Sequence, residues 1–212
     1  MGNRGRYGKY GETKRFDRLR RVRTEACPPK RPLISPFRSR TSPNNILSQE
    51  SSIALRPARD SDAYFIKRLS GKIFNVYGPY EEYLPKWFES DKSVTIVACV
   101  DRQTVGYAMI GDMFEKYNLR NVSELLAIAV DPKKQRKGIG GLLLREVDRK
   151  AIELNIERIF LHTATKNLKA RRLFIKNGYR PWEIKGRFYP EGQDAIVMSK
   201  EPSTLSKKGK YS

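Results

Sequence analysis

The sequence predicts an α/β fold: a mixed, mostly antiparallel central sheet flanked by helices, behind a basic, disordered N-terminal arm. Three observations predict it. From Ile53 to Met198 short strand patterns alternate with helical ones. One strand, Glu124 to Val130, is almost continuously apolar, as a strand covered on both faces should be, and it leads through a glycine-rich turn into an amphipathic helix. The first fifty residues instead hold thirteen Lys or Arg against four acidic residues, with several prolines and no apolar period.

The elements follow in order. Residues 1–51 are the arm, whose sparse apolar side chains cannot offset the entropy of ordering; a short helix is expected only around Phe16 to Val22. The domain spans 52–200. Ile53 to Ala58 reads as a strand, and Asp60 as the N-cap of a helix through Leu69. A loop with Gly78-Pro79 precedes a second helix, Glu81 to Phe88. Val94 to Val100 and Thr104 to Met113 are strands joined at Asp101-Arg102-Gln103, hence an antiparallel hairpin. Past the apolar strand, Leu143, Val147, Ala151 and Leu154 fall at helical spacing, and Arg158 to Thr163 returns as a strand, so the crossover is parallel. Asn167 caps a helix that stops at Gly178, and Tyr179 to Ile184 with Ala195 to Met198 make a last hairpin. Residues 201–212 are a basic flexible tail.

Composition excludes several classes. The 212 residues carry a formal charge of +20, which favours polyanionic partners. It does not choose between an arm that contacts RNA or a ribosome and one that is simply solvated. The longest apolar run, Leu125 to Val130, is far short of the roughly 20 residues of a membrane helix. Two cysteines and one histidine cannot build a disulfide framework or a four-ligand zinc site, so no metal is expected and the thiols suit a reducing, cytoplasmic setting. No apolar segment follows the first charges as in a signal peptide, and Glu12, Asp17 and Glu25 count against a mitochondrial presequence.

The turn Gln135-Arg136-Lys137-Gly138-Ile139-Gly140-Gly141 lies between the apolar strand and the helix. Glycines let a backbone approach a ligand, and the first amides of a helix lack internal partners and favour an anion. Arg136 and Lys137 add positive charge. The turn is neither a Walker loop nor a Gly-x-Gly-x-x-Gly fingerprint.

Leu126 to Gly141 resembles the central acyl-CoA motif of the GNAT N-acetyltransferase superfamily, and Thr165 to Tyr179 resembles its second signature, an Asn-x-x-Ala helix ending in Gly-Tyr. Within that superfamily the chain is most similar to protein Nα-acetyltransferases of the ribosomal-protein alanine type and their archaeal relatives. Phe188 to Met198 resembles their aromatic loop and final strand, and Phe74-Asn75-Val76 their loop at the peptide entrance. The resemblance implies a GNAT-type sheet over residues 52–200 and acetyl-CoA as co-substrate. It implies that main-chain groups of Ile128, Ala129 and Val130 pair with the pantetheine arm, and that Arg136, Lys137, Gly138, Ile139, Gly140 and Gly141 hold the diphosphate. Asn167 would sit near the thioester, and Phe74, Val76, Phe188 and Tyr189 would meet the acceptor, a protein or peptide N-terminus.

Acetyl transfer needs a neutral amine and a base. A peptide α-amine titrates at about 7.7–8.0, against about 10.4 for lysine, so a weak base suffices. An imidazole suits that task, and His162 lies on the strand where the resemblance places a catalytic Glu or His. Glu124, on the preceding strand, is the second candidate and the better one for lysine. One departure is plain: the family's Leu-Tyr pair is here Leu173-Phe174, so a tyrosine acid does not transfer, and Tyr189 or water would have to substitute. Two other functions stay open: a GNAT enzyme acting on lysine or a small amine, and an RNA- or ribosome-associated protein on the same scaffold.

Overall fold

The computed structural model describes residues 52–90, 93–111 and 121–203. The arm, its short helix, Met113 and most of the expected tail lie outside them.

The chain opens with β1 (Ile53–Pro57) and then a single 3-10 turn, Asp60–Asp62. The helix that follows, α1 (Ala63–Phe74), runs five residues past Leu69 and through Gly71, where a Cβ would stand 3.3 Å from that of Glu81 on the next helix. Asp62 rather than Asp60 organises this start. Its carboxylate accepts from Arg59 N at 2.8 Å and from the two terminal guanidinium nitrogens of Arg56 at 2.7 and 2.9 Å. Burial opposes the charge of Asp62, but these donors outweigh it and hold the carboxyl below its usual 3.8. The pair's contribution is therefore in place above that value and is lost as pH falls through the lower folded one. Asp62→Ala, which strands a largely buried Arg56, is expected to cost about 3 kcal/mol at pH 7 and progressively less below pH 4. Denaturant titrations at the two pH values check it.

After a second 3-10 turn (Asn75–Tyr77) comes α2 (Tyr80–Glu89). The hairpin β2 (Ser93–Val100) and β3 (Gln103–Gly111) turns at Asp101 and Arg102, both at positive φ, the geometry that matches strand twist. Then follow β4 (Val122–Val130), a short 3-10 turn (Pro132–Lys134), α3 (Ile139–Glu153), β5 (Arg158–Ala164), α4 (Leu168–Lys176), β6 (Arg180–Lys185) and β7 (Ala195–Lys200).

The seven strands form one sheet in the order β1-β2-β3-β4-β5-β7-β6. Every neighbouring pair is antiparallel except β4 and β5, which the α3 crossover makes parallel. Two cores result. On one face Ile139, Leu143, Leu144 and Val147 of α3, with Phe174 of α4, pack on Ile96, Ala108, Ile110, Leu125 and Leu161. On the other, Ile66 and Leu69 of α1 and Leu84 and Phe88 of α2 pack on Val97, Tyr107, Met109 and Ala127. The fully buried Tyr107 hydroxyl shares a 2.7 Å hydrogen bond with Ser70 Oγ. Burial raises the pKa of this phenol above its ordinary value, so it stays neutral. Among the described residues no helix is long and apolar enough to cross a membrane.

Candidate active site

The site begins with a defect in β4. Met109 faces Ala127 across the β3–β4 ladder but Ile110 faces Leu125, so Leu126 is surplus: a β-bulge. The parallel pairing of β4 with β5 stops at the same place, at Leu125 opposite Leu161. Beyond it His162–Ala164 pair with β7, while Ala127–Val130 continue along β3. The two central strands thus part, leaving a wedge.

Backbone groups alternate in direction along the far half of β4. The Ala129 carbonyl lies on the β3 side, 2.8 Å from where a Cβ on Gly106 would stand, so Ile128 and Val130 turn theirs to the wedge. Gln135 Nε2 donates to the Val130 carbonyl at 2.9 Å. Of the three residues expected to present main chain to a ligand, Ile128 is the one so directed that keeps its carbonyl clear of this contact.

The wide end of the wedge meets the start of α3. Asp131 Oδ1 accepts from Lys133 N at 2.9 Å and fixes the preceding turn. Arg136 (φ 65°) and Gly138 (φ 78°) are both left-handed, which swings the chain into the helix with Gly138 as an N-cap that has no capping side chain. Buried Ile139 anchors this end, whereas Arg136, Lys137 and Gly138 are exposed. A Cβ built on Gly138 would meet nothing within 4 Å, while one on Gly140 would stand 3.1 Å from Leu173 of α4. Gly140 therefore packs against α4, whereas Gly138 faces open space. Lys169, bonded to Gln135 Oε1 at 2.9 Å, adds a third cation. First-turn amides without helical partners, an open face at Gly138 and clustered cations fit a diphosphate.

At the narrow end, on the face of α1 and α2, Glu124 and His162 meet directly. Glu124 lies opposite Phe160 in the ladder, so His162 is two residues further along the same face. Glu124 Oε1 and His162 Nδ1 are 2.7 Å apart, with both side chains largely buried. An ionised carboxylate only accepts, so this bond puts the proton on Nδ1 of a neutral ring and leaves the Nε2 lone pair uncommitted. Nε2 is buried and has no hydrogen-bond partner among the described residues. The Phe188 ring stacks on the imidazole at 4.3 Å and 7°, which sets the ring plane.

Two loops close over this pair. Gln193 Nε2 donates to the Val76 carbonyl at 2.5 Å, and a Cβ on Gly78 (φ 132°) would stand 2.8 Å from Pro190. Tyr189 packs among Tyr77, Tyr80 and Phe188, with centroid distances of 4.9, 6.4 and 5.1 Å. Its burial, then the neighbouring Tyr80, Tyr77 and Glu124, push its hydroxyl well above the ordinary tyrosine value. Tyr189 therefore keeps its proton.

The other expected residues fall as follows. Phe74 packs into the α1–α2 core and beside Tyr80, at 5.9 Å. Val76 contributes its carbonyl to the loop contact, and its side chain is exposed. Asn167 Oδ1 accepts from Ala170 N at 3.1 Å and so caps α4. Phe174 is buried against Tyr179, 5.6 Å between centroids, and has no hydroxyl to offer. For Tyr77 and Tyr80 the signal in the sequence is the aromatic run around Gly78-Pro79; Gln193 carries no local signal of its contact with Val76. Among the described residues no three His, Cys, Asp or Glu gather to hold a metal.

Comparisons with known proteins agree with this geometry. Residues 61–179 match the Acetyltransferase (GNAT) family. The chain is 31% identical over 106 residues to an uncharacterized N-acetyltransferase of Methanocaldococcus jannaschii, covering 50% of this chain and 64% of that one, so less than two thirds of the relative's length is spanned. It is 32% identical over 78 residues to a ribosomal-protein alanine N-acetyltransferase of Salmonella typhimurium, covering 35% of this chain and 53% of that protein. A Salmonella typhimurium protein solved with its cofactor acetyl-CoA superimposes with a TM-score of 0.63 at 18% identity, over 76% of this chain and all of that one. The sheet order, the parted central strands and the matched residues lead to one assignment: this chain belongs to the GNAT family of acetyltransferases.

Proposed function

We propose that the enzyme acetylates the N-terminal α-amine of a polypeptide, with His162 as the base and Glu124 as its orienting partner. One observation carries this reading: the 2.7 Å Glu124–His162 bond at the apex of the wedge, with an unpartnered Nε2 beyond it. The family's co-substrate, acetyl-CoA, supplies the acyl group as a thioester when bound. Gly138 to Gly141, with Arg136 and Lys137, would hold its diphosphate, and the main chain of Ile128 its extended arm.

The residues of the chain divide the remaining work. His162 Nε2 takes the proton from the attacking nitrogen, while Glu124 holds Nδ1–H and balances the imidazolium that forms. Phe188 keeps the ring in plane. An α-amine, at about 7.7–8.0, is partly neutral at physiological pH and suits an imidazole base better than lysine does. Tyr189, protonated and beside the pair, is a donor for developing negative charge, where Phe174 supplies none. The loops carrying Val76 and Gln193 exclude water. The similarity to an alanine N-acetyltransferase supports the same class of acceptor, and a cytoplasmic setting is where such N-termini emerge.

The decisive assay offers labelled acetyl-CoA with two peptide sets, one with a free α-amine and blocked lysines, the other with a blocked α-amine and free lysines. Acetylation of the first set alone is expected; acetylation of the second alone overturns the reading. The basic excess before Ile53 supports a separate contact with RNA or ribosomes. RNA binding that weakens steeply with salt and is lost on deleting residues 1–51 is the expected result, and unchanged binding by the truncated chain rejects it.

A further inference from the structure

The face that bears Glu124 and His162 continues past them into an apolar surface that the chemistry leaves unused. Among the described residues the core under α1 and α2 draws on β2, β3 and β4 and takes no residue from β5, β6 or β7. On that open side Phe160 stands on the same face of β5 as His162, two residues before it, a rise of about 6.6 Å. Trp182 of β6 meets Phe160 edge to face, with centroids 6.0 Å apart. It is 63% exposed, on an edge strand whose six residues are all exposed.

The position of Trp182 has a specific backbone cause. The β6–β7 register shifts between Pro181 and Glu183, so Trp182 is surplus to the ladder, and a bulge of this kind re-aims its side chain. The largest of the apolar residues is thus left in water, across the sheet from the base, in a patch continuous with it: Phe188 on His162, His162 two residues from Phe160, Phe160 against Trp182. A patch continuous with the reacting centre is suited to something held at that centre.

We propose that Phe160 and Trp182 form a subsite centred on the third residue of the acceptor polypeptide, and that it selects an aromatic or large aliphatic side chain there. The proposal rests on the reading that the acceptor is a polypeptide N-terminus. An extended chain rises about 3.3 Å per residue and points alternate side chains the same way. With the amine of its first residue at His162 Nε2, its third residue lies over Phe160, where the Trp182 ring, reaching across from β6 to 6.0 Å from the Phe160 ring, flanks the same side chain. The enzyme then reads a residue beyond the one it modifies. A free amino acid or small amine gains nothing from this surface.

Steady-state kinetics of wild type and Trp182→Ala test it with three acceptors: a dipeptide amide, a hexapeptide with Leu or Phe at position 3, and the same hexapeptide with Ser or Gly there. Trp182 is exposed, so the variant is expected to fold. Its KM for the apolar hexapeptide should rise about tenfold with kcat unchanged, while KM for the other two acceptors stays put. Trp182→Phe should recover most of the loss. Equal kinetics for wild type and Trp182→Ala on every peptide overturns the subsite and leaves the α-amine reading intact. A wild-type enzyme that acetylates none of the three overturns both. A wild-type dimer that Trp182→Ala dissociates, with KM unchanged, gives the surface to a second copy of the chain and also overturns the subsite.

Discussion

His162→Ala should lower kcat/KM for a peptide α-amine by about 10²- to 10⁴-fold, the usual worth of a positioned general base, while leaving the affinity for acetyl-CoA within about twofold. The residues proposed to hold the diphosphate lie at the start of α3, and His162 is on β5, so the two quantities are separable. Glu124→Gln tests the pair more sharply. A glutamine amide donates where the carboxylate accepts, so it can turn toward Nδ1 and place the imidazole proton on Nε2, the wrong nitrogen. A loss comparable to that of His162→Ala is expected, without loss of fold. Single-turnover acetylation together with calorimetric titration of acetyl-CoA separates chemistry from binding. Activity unchanged in both variants removes the pair from the mechanism.

Gly138→Trp is expected to produce the opposite pattern. Gly138 is the N-cap of α3 at φ 78°, and a side chain there extends into the open space over the first-turn amides. The substitution both strains the backbone and occupies the approach. Each charge-assisted hydrogen bond lost to a phosphate is worth about 1.5–3 kcal/mol, so acetyl-CoA affinity should fall at least about tenfold. Gly138→Ala, which carries the strain with little of the bulk, should lose less. Normal acetyl-CoA binding by Gly138→Trp would refute the cradle.

Much of the fold was legible because its signals are local. The apolar run of β4, the glycine turn and the 3.6-residue pattern of α3 each declare themselves over a short window, and together they dictate the parallel crossover. Helix ends were read less well. Asp60 looks like the better cap until Arg56, six residues before Asp62, pairs with Asp62 instead, and α1 runs on through Gly71, at whose close approach Glu81 packs. The site divides in the same way. Glu124 and His162 each stood out alone, but their contact depends on register between strands 38 residues apart, which no local pattern encodes. The loop contact from Gln193 to Val76 spans 117 residues and was equally invisible.

The surplus Leu126 has a consequence for how a ligand arrives. Since one supernumerary residue keeps β4 and β5 from zipping shut, the slot is preformed, and occupancy demands no peeling of hydrogen bonds from either neighbour. Association should then follow collision rather than a slow opening step, giving single-phase capture kinetics. Excising that residue would reverse the inward and outward sense of everything after it, exchanging Ala127 and Ala129 with Ile128 and Val130 across the two cores.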